Sequence, residues 1–402
     1  MNDMKSSIYF TPSPITTDEL AGAEKIREII DDIPDLFNTT FYLARWWRAY
    51  NGDLERIKRN MKDLFNHRRA LGYDNIETDL LQTKLEITKK TFERFCISKI
   101  ALYRKMNNVC VFFQRMVTND IDEITRVVPL SYVLHSYFIM QEAFTRAQLE
   151  AEKSTGKPAA VVSILDLSEI NTAALLNPLS VSAQFVRLIV KIWADYFVEV
   201  QAKLFLINSP ALLSIMGQIV KLLMDKATQS RLQFLYQPTD LIKHLNPYLV
   251  PEMYGGEWRD DSGYAEKPEL VCQKPIKIEP QHYYNCDLLW QKYGFSKVPT
   301  KCSETIKRKQ TFEVQKNSTT ESQILLWHFT VSSDIEFSIL MKTEKDDEQI
   351  VWPKITLTSL RTPEQGSIIC KRNCSYTLRF TNPSRFLIPV KLQYVIKLCS
   401  NI

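Results

Sequence analysis

Histidine and cysteine are the side chains of this sequence with the most obvious chemistry, and their spacing limits what they can do. None of the five histidines lies in an HExxH zinc motif, so each is expected on the surface or hydrogen-bonded in a core; they are His67, His135, His244, His282 and His328. The eight cysteines form no CxxC pair, and we expect Cys370 and Cys374, the nearest two, to be free thiols. No metal site is predicted, although a catalytic triad assembled from distant residues stays open.

The glycines exclude the common nucleotide-binding loops. Ten glycines are present and none is spaced as GxG, so the dinucleotide fingerprint is absent. Gly156-Lys157 is followed by Pro158 and lacks the upstream glycine of a phosphate-binding loop. A GxSxG nucleophile turn is also missing. We therefore expect a protein without a cofactor that is not an enzyme.

Composition places the chain among ordinary globular proteins. It has 402 residues, 45% hydrophobic and 24% charged, with a formal net charge of +5. This mild basicity permits attraction to anionic membranes, but no nucleic-acid-binding module is visible. No apolar run is long enough for a signal peptide or a membrane span. We expect a soluble, cytoplasmic protein with peripheral membrane contact and no nucleic-acid partner.

The hydrophobic pattern changes period along the chain. Residues 16–75 predict small helices, in which Thr16 and Glu19 have capping-box spacing. Within 90–262, compact apolar runs alternate with helix-length segments, which is typical of an α/β domain; the runs are 109–113, 160–165, 204–207 and 232–236. Residues 263–300 are interpreted as a linker. From 301 to 400 the period becomes two, which predicts an all-β sandwich.

Residues 211–224, ALLSIMGQIVKLLM, carry apolar side chains over a wider arc than one sheet can cover. Such a helix is either buried on two sides or meets lipid. Met216 and Met224 suit an adaptable wall around a ligand. Periodicity alone does not separate the two alternatives.

Several segments, in order, resemble the CRAL-TRIO family. They are an Arg-aromatic-x-Arg-Ala turn and basic helix within 41–73, the strand and Asn-x-Pro turn KLFLINSP at 203–210, the helix 211–224 in the position of the family's gate helix, and LVPEMYGG at 249–256. The C-terminal stretches ILLWHF (324–329), DIEFSI (334–339) and YTLRFTN (376–382) resemble a GOLD domain. Together they resemble the animal CRAL-TRIO–GOLD proteins related to supernatant protein factor and tocopherol-associated protein.

The resemblance implies an apolar pocket under a gate helix that swings out onto a membrane. The pocket and gate residues would be Ile164, Phe205, Ile207, Leu212, Leu213, Met216, Ile219, Val220 and Leu223. Glu169 replaces a glycine that the family often has, which indicates a remodelled lining.

A headgroup site is also implied. The fungal phosphatidylinositol-transfer members use an acidic residue in a Tyr-Pro-Glu motif, a Lys after the gate helix and a Lys near the first helical segment. Here Glu199 keeps the acid, Arg231 takes the post-gate position and Asn51 stands in place of the other Lys. Glu199 and Arg231 are thus headgroup candidates, with a purely structural ion pair as the alternative.

The expected function is lipid binding and transfer. The ligand would be a phospholipid, a sterol precursor or a tocopherol-like lipid, with a transient membrane surface as partner and a possible protein partner through the GOLD-like domain. The alternative is an adaptor or scaffold that has lost its ligand.

Overall fold

The computed structural model describes residues 9–100, 104–171, 174–175, 177–197, 199–208, 229–344, 347–384 and 387–400. The chain divides into two compact units, and neither is one continuous stretch. The first holds Met1–Lys62, Ile76–Asp120 and Ser136–Lys277; the second holds Asp63–Asn75, Ile121–His135 and Ile278–Ile402. The prediction from the sequence divided the chain into consecutive segments, whereas each of these units combines stretches that are separated in the chain.

The regular elements follow one another from N-terminal helices through an α/β region to β-strands. The helices are α1 (Thr17–Ile29), α2 (Thr40–Ala49), α3 (Leu54–Leu71), α4 (Glu86–Phe92), α5 (Ile121–Val127), α6 (Leu130–Thr155), α7 (Val181–Ile192) and α8 (Cys286–Lys292). The strands are β1 (Cys96–Ile97), β2 (Arg104–Met106), β3 (Val109–Arg115), β4 (Ala160–Asp166), β5 (Gln201–Ile207), β6 (Leu232–Leu235), β7 (Cys302–Ile306), β8 (Thr311–Ser318), β9 (Ile324–Val331), β10 (Ile335–Lys342), β11 (Glu348–Leu357), β12 (Glu364–Ile369), β13 (Cys374–Thr381) and β14 (Val390–Cys399).

A mixed six-stranded sheet forms the centre of the first unit. Its order is β1-β3-β4-β5-β6, with β2 paired to β3. The strands β3 to β6 run parallel, while β1 and β2 pair antiparallel with β3. These four parallel strands coincide with the four apolar runs of the sequence, so the predicted α/β domain is confirmed.

One face of this sheet, here called the helix-covered face, carries the crossover helices. Connections between parallel strands are right-handed, so strands in consecutive order send their helices to one side. On α6, the ring of Phe144 lies 5.0 Å from that of Phe112 on β3. The π-helical turn Trp193–Phe197 after α7 packs on α6 in turn, with Phe197 at 5.3 Å from Phe138.

The opposite face, here called the core-packed face, is covered by the chain that follows β6. Three short 3-10 segments cross it, Pro238–Lys243, Pro247–Leu249 and Glu252–Tyr254. Their buried side chains, including Leu241 and Tyr254, join Phe113 and Val162 of the sheet in one apolar cluster. Since apolar residues cover both sides, the strands are apolar along nearly their whole length.

A buried ion pair ties the N-terminal helices to α6. Arg45 on α2 and Glu152 on α6 form two hydrogen bonds, one of them 3.3 Å long between Nη2 and Oε2. Only 6% and 4% of these side chains is exposed. Glu152 Oε1 also accepts a hydrogen bond from the backbone N–H of Ala159, at 2.9 Å. Each buried charge therefore depends on the other, because an unpaired ion is costly in a low-dielectric interior.

Close packing and a cap fix α1 against α2. The predicted capping box is present: Thr16 Oγ1 accepts from the Glu19 N–H at 3.3 Å, and Thr16 N–H donates to Glu19 at 2.8 Å. At Gly22, an added Cβ would lie 2.1 Å from the Trp47 ring, so only glycine allows this approach.

The second unit contains an antiparallel β-sandwich, which confirms the predicted all-β region. Its sheets have the orders β11-β10-β13-β8 and β12-β9-β14-β7. Along β13, Cys374, Tyr376, Leu378 and Phe380 are buried and alternate with half-buried residues. Rings of Phe329, Phe337 and Phe380 meet between the sheets at 4.9 to 5.1 Å.

The stretch predicted as a linker, 263–300, is divided between the units: the first unit extends to Lys277 and the second includes the chain from Ile278. The part in the second unit contains α8, whose Trp290 is fully buried against Leu326 and Val395. All eight cysteines are free thiols, Cys370 and Cys374 among them. None of the described helices is long and apolar enough to cross a membrane.

Titratable groups are buried beside the sandwich. His67 Nε2 and His135 Nδ1 are 2.9 Å apart, and the Tyr73 hydroxyl lies 2.9 Å from His67 Nδ1. Burial lowers the pKa of His135 to about 3 and that of His67 well below its usual value. Burial raises the pKa of Glu364 to about 7, although both of its carboxyl oxygens accept from the Ser131 N–H at 3.3 Å.

Removing one partner of the buried ion pair is expected to cost far more than breaking an exposed one. Glu152→Ala leaves the Arg45 charge buried and unpaired, so the free energy of unfolding should fall by about 3–5 kcal/mol. Glu150→Ala breaks the exposed pair with Lys105 and should change it by less than about 1 kcal/mol. Urea unfolding followed by tryptophan fluorescence measures both, and equal losses would contradict the assigned role of Glu152.

Acid is expected to destabilise the second unit. Because both histidine pKa values are lowered on folding, the unfolded chain binds two protons below about pH 6.5 that the folded chain does not bind. Their contribution to the free energy of unfolding should then fall by about 1.4 kcal/mol per pH unit for each histidine. Thermal unfolding between about pH 8 and about pH 5 measures this loss.

Glu364 acts in the opposite direction. Its raised pKa lets the folded chain keep a proton that the unfolded chain releases, so this stabilisation is lost as the pH rises from about 4.5 to about 7. Glu364→Gln removes the opposing contribution and should lose stability more steeply on acidification than the parent chain. Two flat and parallel stability curves would show that these groups are not buried as described.

Candidate functional site

Glu199 and Arg231, the two predicted headgroup residues, lie together in the first unit. Glu199 follows the turn Trp193–Phe197 and precedes β5, while Arg231 immediately precedes β6. Arg231 Nη2 donates to Glu199 Oε1. The Arg231 carbonyl accepts from the Leu204 N–H at 2.9 Å, which fixes the arginine to the neighbouring strand.

A second arginine completes the site. Arg48, in the last turn of α2, places Nη1 3.6 Å from Glu199 Oε2. Its Nε and Nη2 donate to the two Glu19 oxygens at 2.6 and 2.7 Å. Glu199 therefore lies between two guanidinium groups, and only 10% of its side chain is exposed.

Charges balance within this cluster of two arginines and two glutamates. The hydrogen bond from Arg48 lowers the pKa of Glu19, and the bond to Glu19 raises the pKa of Arg48. Both groups are thereby held in their charged forms. Arg231 Nε, in contrast, is buried without a hydrogen-bond partner in the described part of the chain. The site thus keeps one cationic donor free to bind an acceptor.

The backbone next to Glu199 is held by polar contacts. Asn60 Nδ2 donates to the Asp195 carbonyl at 2.8 Å, and the Tyr50 hydroxyl donates to the same oxygen. The Asp195 carboxylate pairs with Arg56 at 3.4 Å and with Lys191 at 3.0 Å. A π-helical turn is rare and frequently marks a functional site. Glu199 follows this turn by two residues.

Arg48 is the cation that the sequence interpretation missed. Asn51, the position matched to the family's other Lys, is exposed in the turn after α2, with a positive φ of 50°. Arg48 precedes it by three residues, which is close to one helical turn and the spacing of neighbours on a helix surface. That spacing is the sequence signal that points to Arg48.

The strand residues predicted to line the pocket lie on the core-packed face. Ile164, Phe205 and Ile207 are fully buried there in one cluster with Leu241 and Tyr254. Side chains of a strand alternate between faces, so the helix-covered face is lined by their neighbours instead. On β4 and β5 these neighbours include Leu165, Leu204 and Leu206.

Several apolar side chains on the helix-covered face are only half-buried. They are Leu165 on β4, Leu204 on β5, and Leu232 and Phe234 on β6, while Leu206 is buried. Most residues of α7 are half-buried as well, with Leu188 and Ile192 buried. The gate residues Leu212, Leu213, Met216, Ile219, Val220 and Leu223 lie outside the described residues.

Metal chemistry finds no support among the residues that the structure describes. No three His, Cys, Asp or Glu side chains of that part are grouped to hold a metal ion. His244 contacts Gln233 and the Phe205 ring, and His328 contacts Tyr284, so these two histidines serve separate hydrogen-bonded cores.

Known proteins resemble the chain in this region. Residues 102–256 match the family model described as the CRAL/TRIO domain. A CRAL-TRIO domain-containing protein of Caenorhabditis elegans is 25% identical over 401 residues, covering 96% of this chain and 98% of that protein. The SEC14 cytosolic factor of Kluyveromyces lactis is 25% identical over 261 residues, covering 62% of this chain and 82% of the factor.

Among solved structures, the crystal structure of Sfh5 aligns with a TM-score of 0.41 and 12% identity, over 66% of this chain and 84% of that one. The domain match and the parallel sheet with its helices on one face lead to the same conclusion. Residues 102–256 of this chain are thus similar to CRAL/TRIO domains.

Proposed function

We propose that this chain binds one phospholipid, with its headgroup at Arg48 and Arg231 and its acyl chains against the helix-covered face. The observations that carry the proposal are the free donor on Arg231, which immediately precedes β6, and the half-buried apolar side chains of β5 and β6. An amphipathic lipid needs both features side by side, since each CH₂ group removed from water contributes about 0.8 kcal/mol and its polar end needs hydrogen bonds. CRAL/TRIO domains are generally non-catalytic lipid-binding domains, which supports the same proposal.

Electrostatics favours an anionic headgroup. A phosphate oxygen can accept from Arg231 Nε and compete with Glu199 for the two guanidinium groups. Arg48 replaces the charge that Asn51 lacks, so the site keeps two cations. A neutral lipid such as a sterol precursor or tocopherol would use the apolar face and leave the arginines with Glu199.

The strands suggest which side chains meet the acyl chains. We propose Leu165, Leu204 and Leu206 as lining, in place of Ile164, Phe205 and Ile207. The gate, predicted at residues 211–224 from their resemblance to the family's gate helix, lies outside the described residues. Its six predicted gate residues remain part of the proposal.

Transfer between membranes, in the cytoplasm, would follow if the ligand exchanges at a membrane surface. The sandwich of the second unit, which resembles a GOLD domain in its strand sequences, would choose the membrane or protein partner. The alternative is an adaptor that holds no lipid, and lipid extraction distinguishes it from a carrier.

Native mass spectrometry of the purified chain, followed by lipid extraction, tests the proposal directly. We expect about one phospholipid per chain, because a single site is proposed. One neutral lipid per chain would support a lipid carrier but would reject Arg48 and Arg231 as a headgroup site. A protein that is empty and also takes no lipid from mixed liposomes would favour the adaptor.

Arg231→Gln tests the headgroup site without leaving Glu199 unpaired, since Arg48 stays beside it. We expect at least a tenfold loss of affinity for anionic phospholipid, the size typical of a lost hydrogen bond to a charged group. Arg259→Gln, which breaks an exposed pair with Glu252 in the same unit, is the matched control and should bind as the parent chain does. Equal affinity in both variants would reject the role of Arg231.

Leu204→Trp tests the face on which the acyl chains lie. The larger ring should occupy space on the helix-covered face and lower the lipid bound per chain. Ile164→Val on the core-packed face should cost about 0.5–1.5 kcal/mol of stability and leave lipid binding unchanged. The reverse pattern in lipid extraction would return the pocket to the core-packed face.

A further inference from the structure

An exposed apolar loop lies at one end of the β-sandwich. Between β13 and β14, Leu387 is 85% exposed and Ile388 is 59% exposed, and they are adjacent in the chain. Large apolar side chains exposed together cost free energy in water and mark sites of interaction more often than single ones do. Arg385 and Phe386 lie outside the described residues.

Three consecutive cations occupy the neighbouring turn. Lys307, Arg308 and Lys309 connect β7 to β8, and all three are exposed. None of them forms an ion pair within the described residues. Asp334 is the acidic residue of the β9–β10 turn at the same end of the sandwich. The turn between β7 and β8 therefore presents three cations that pair with no acid among the described residues.

One buried side chain holds the apolar loop and the basic turn together. Asn382 is fully buried, and its side-chain amide donates to the carbonyls of Ile306 and Ile388 at 3.0 and 3.1 Å. Its backbone N–H donates to Gln310, and its carbonyl accepts from Lys309, both at 3.0 Å. Its Oδ1 accepts from the Ser384 N–H at 3.0 Å. Both loops are thus fixed to the same residue.

We propose that Leu387, Ile388 and the turn Lys307–Lys309 form a contact surface for anionic phospholipid membranes. Apolar side chains at the tip would enter the headgroup and acyl boundary, while the cations remain at the level of the lipid phosphates. A protein partner would require a complementary acidic surface of fixed shape, whereas a membrane requires only adjacent apolar and cationic groups. The surface belongs to the second unit and does not depend on the lipid site of the first.

Another exposed apolar residue shows why the arrangement matters. Ile369 is 70% exposed on β12 at the opposite end of the sandwich, near exposed Lys371 and Arg372. It lies on an edge strand, and the preceding Ile368 is half-buried, with its side chain on the other face of the strand. Ile369, Lys371 and Arg372 therefore provide matched control positions with the same chemistry and a different geometry.

Vesicle sedimentation of the full chain tests the surface. We expect tighter binding to phosphatidylcholine vesicles that contain phosphatidylserine than to phosphatidylcholine alone, and weaker binding as salt rises. Lys307→Gln, Arg308→Gln and Lys309→Asn, combined, should lower the affinity for the anionic vesicles by about fivefold per charge. Asparagine at 309 accepts the positive φ of 57° found there. Leu387→Ser with Ile388→Ser should lower it by at least about tenfold.

The control variant is Ile369→Ser with Lys371→Gln and Arg372→Gln, which should bind vesicles as the parent chain does. Loss of binding in the control with none in the loop variants, or equal binding throughout, would overturn the proposal. Arg231→Gln should keep vesicle binding while its lipid content falls, and the loop variants should keep their lipid content. Vesicle binding and lipid content therefore test the two proposals independently, and each proposal can fail without the other.

Discussion

Glu199 is a nearly buried carboxylate, and its need for counter-charges organises the first unit. Two guanidinium groups meet it, one from the N-terminal helices and one from the residue before β6. Arg48 could not reach it unless α1 and α2 were fixed, and that is done by the Gly22–Trp47 contact and the buried Arg45–Glu152 pair. A polar constraint thus connects helices, turn and sheet that are far apart in the sequence.

The order of the fold was readable from the sequence because its hydrophobic periods are strong. Four apolar runs became the parallel strands, and alternation in 376–380 and 390–398 became β13 and β14. The face of each strand was not readable, since runs such as AVVSILD are apolar on both sides. A shift of one residue moves every side chain to the other face, so the sequence did not determine on which face Ile164 and Phe205 would lie.

The candidate site shows the same division between local and long-range information. Glu199 and Arg231 followed from matched segments, whereas Arg48 depends on how a helix turns toward a residue 151 positions later in the chain. The second unit gathers pieces from three stretches for a similar reason. His67 and His135 meet across 68 positions, and no spacing rule links them.

Asn382 couples two loops of the β-sandwich that would otherwise move separately. Every polar group of this residue is engaged, so the apolar loop and the basic turn cannot move independently. On a bilayer, a surface fixed in this way would favour one tilt, because the apolar loop and the basic turn are held by the same residue. The bound sandwich would then have a defined orientation relative to the membrane normal.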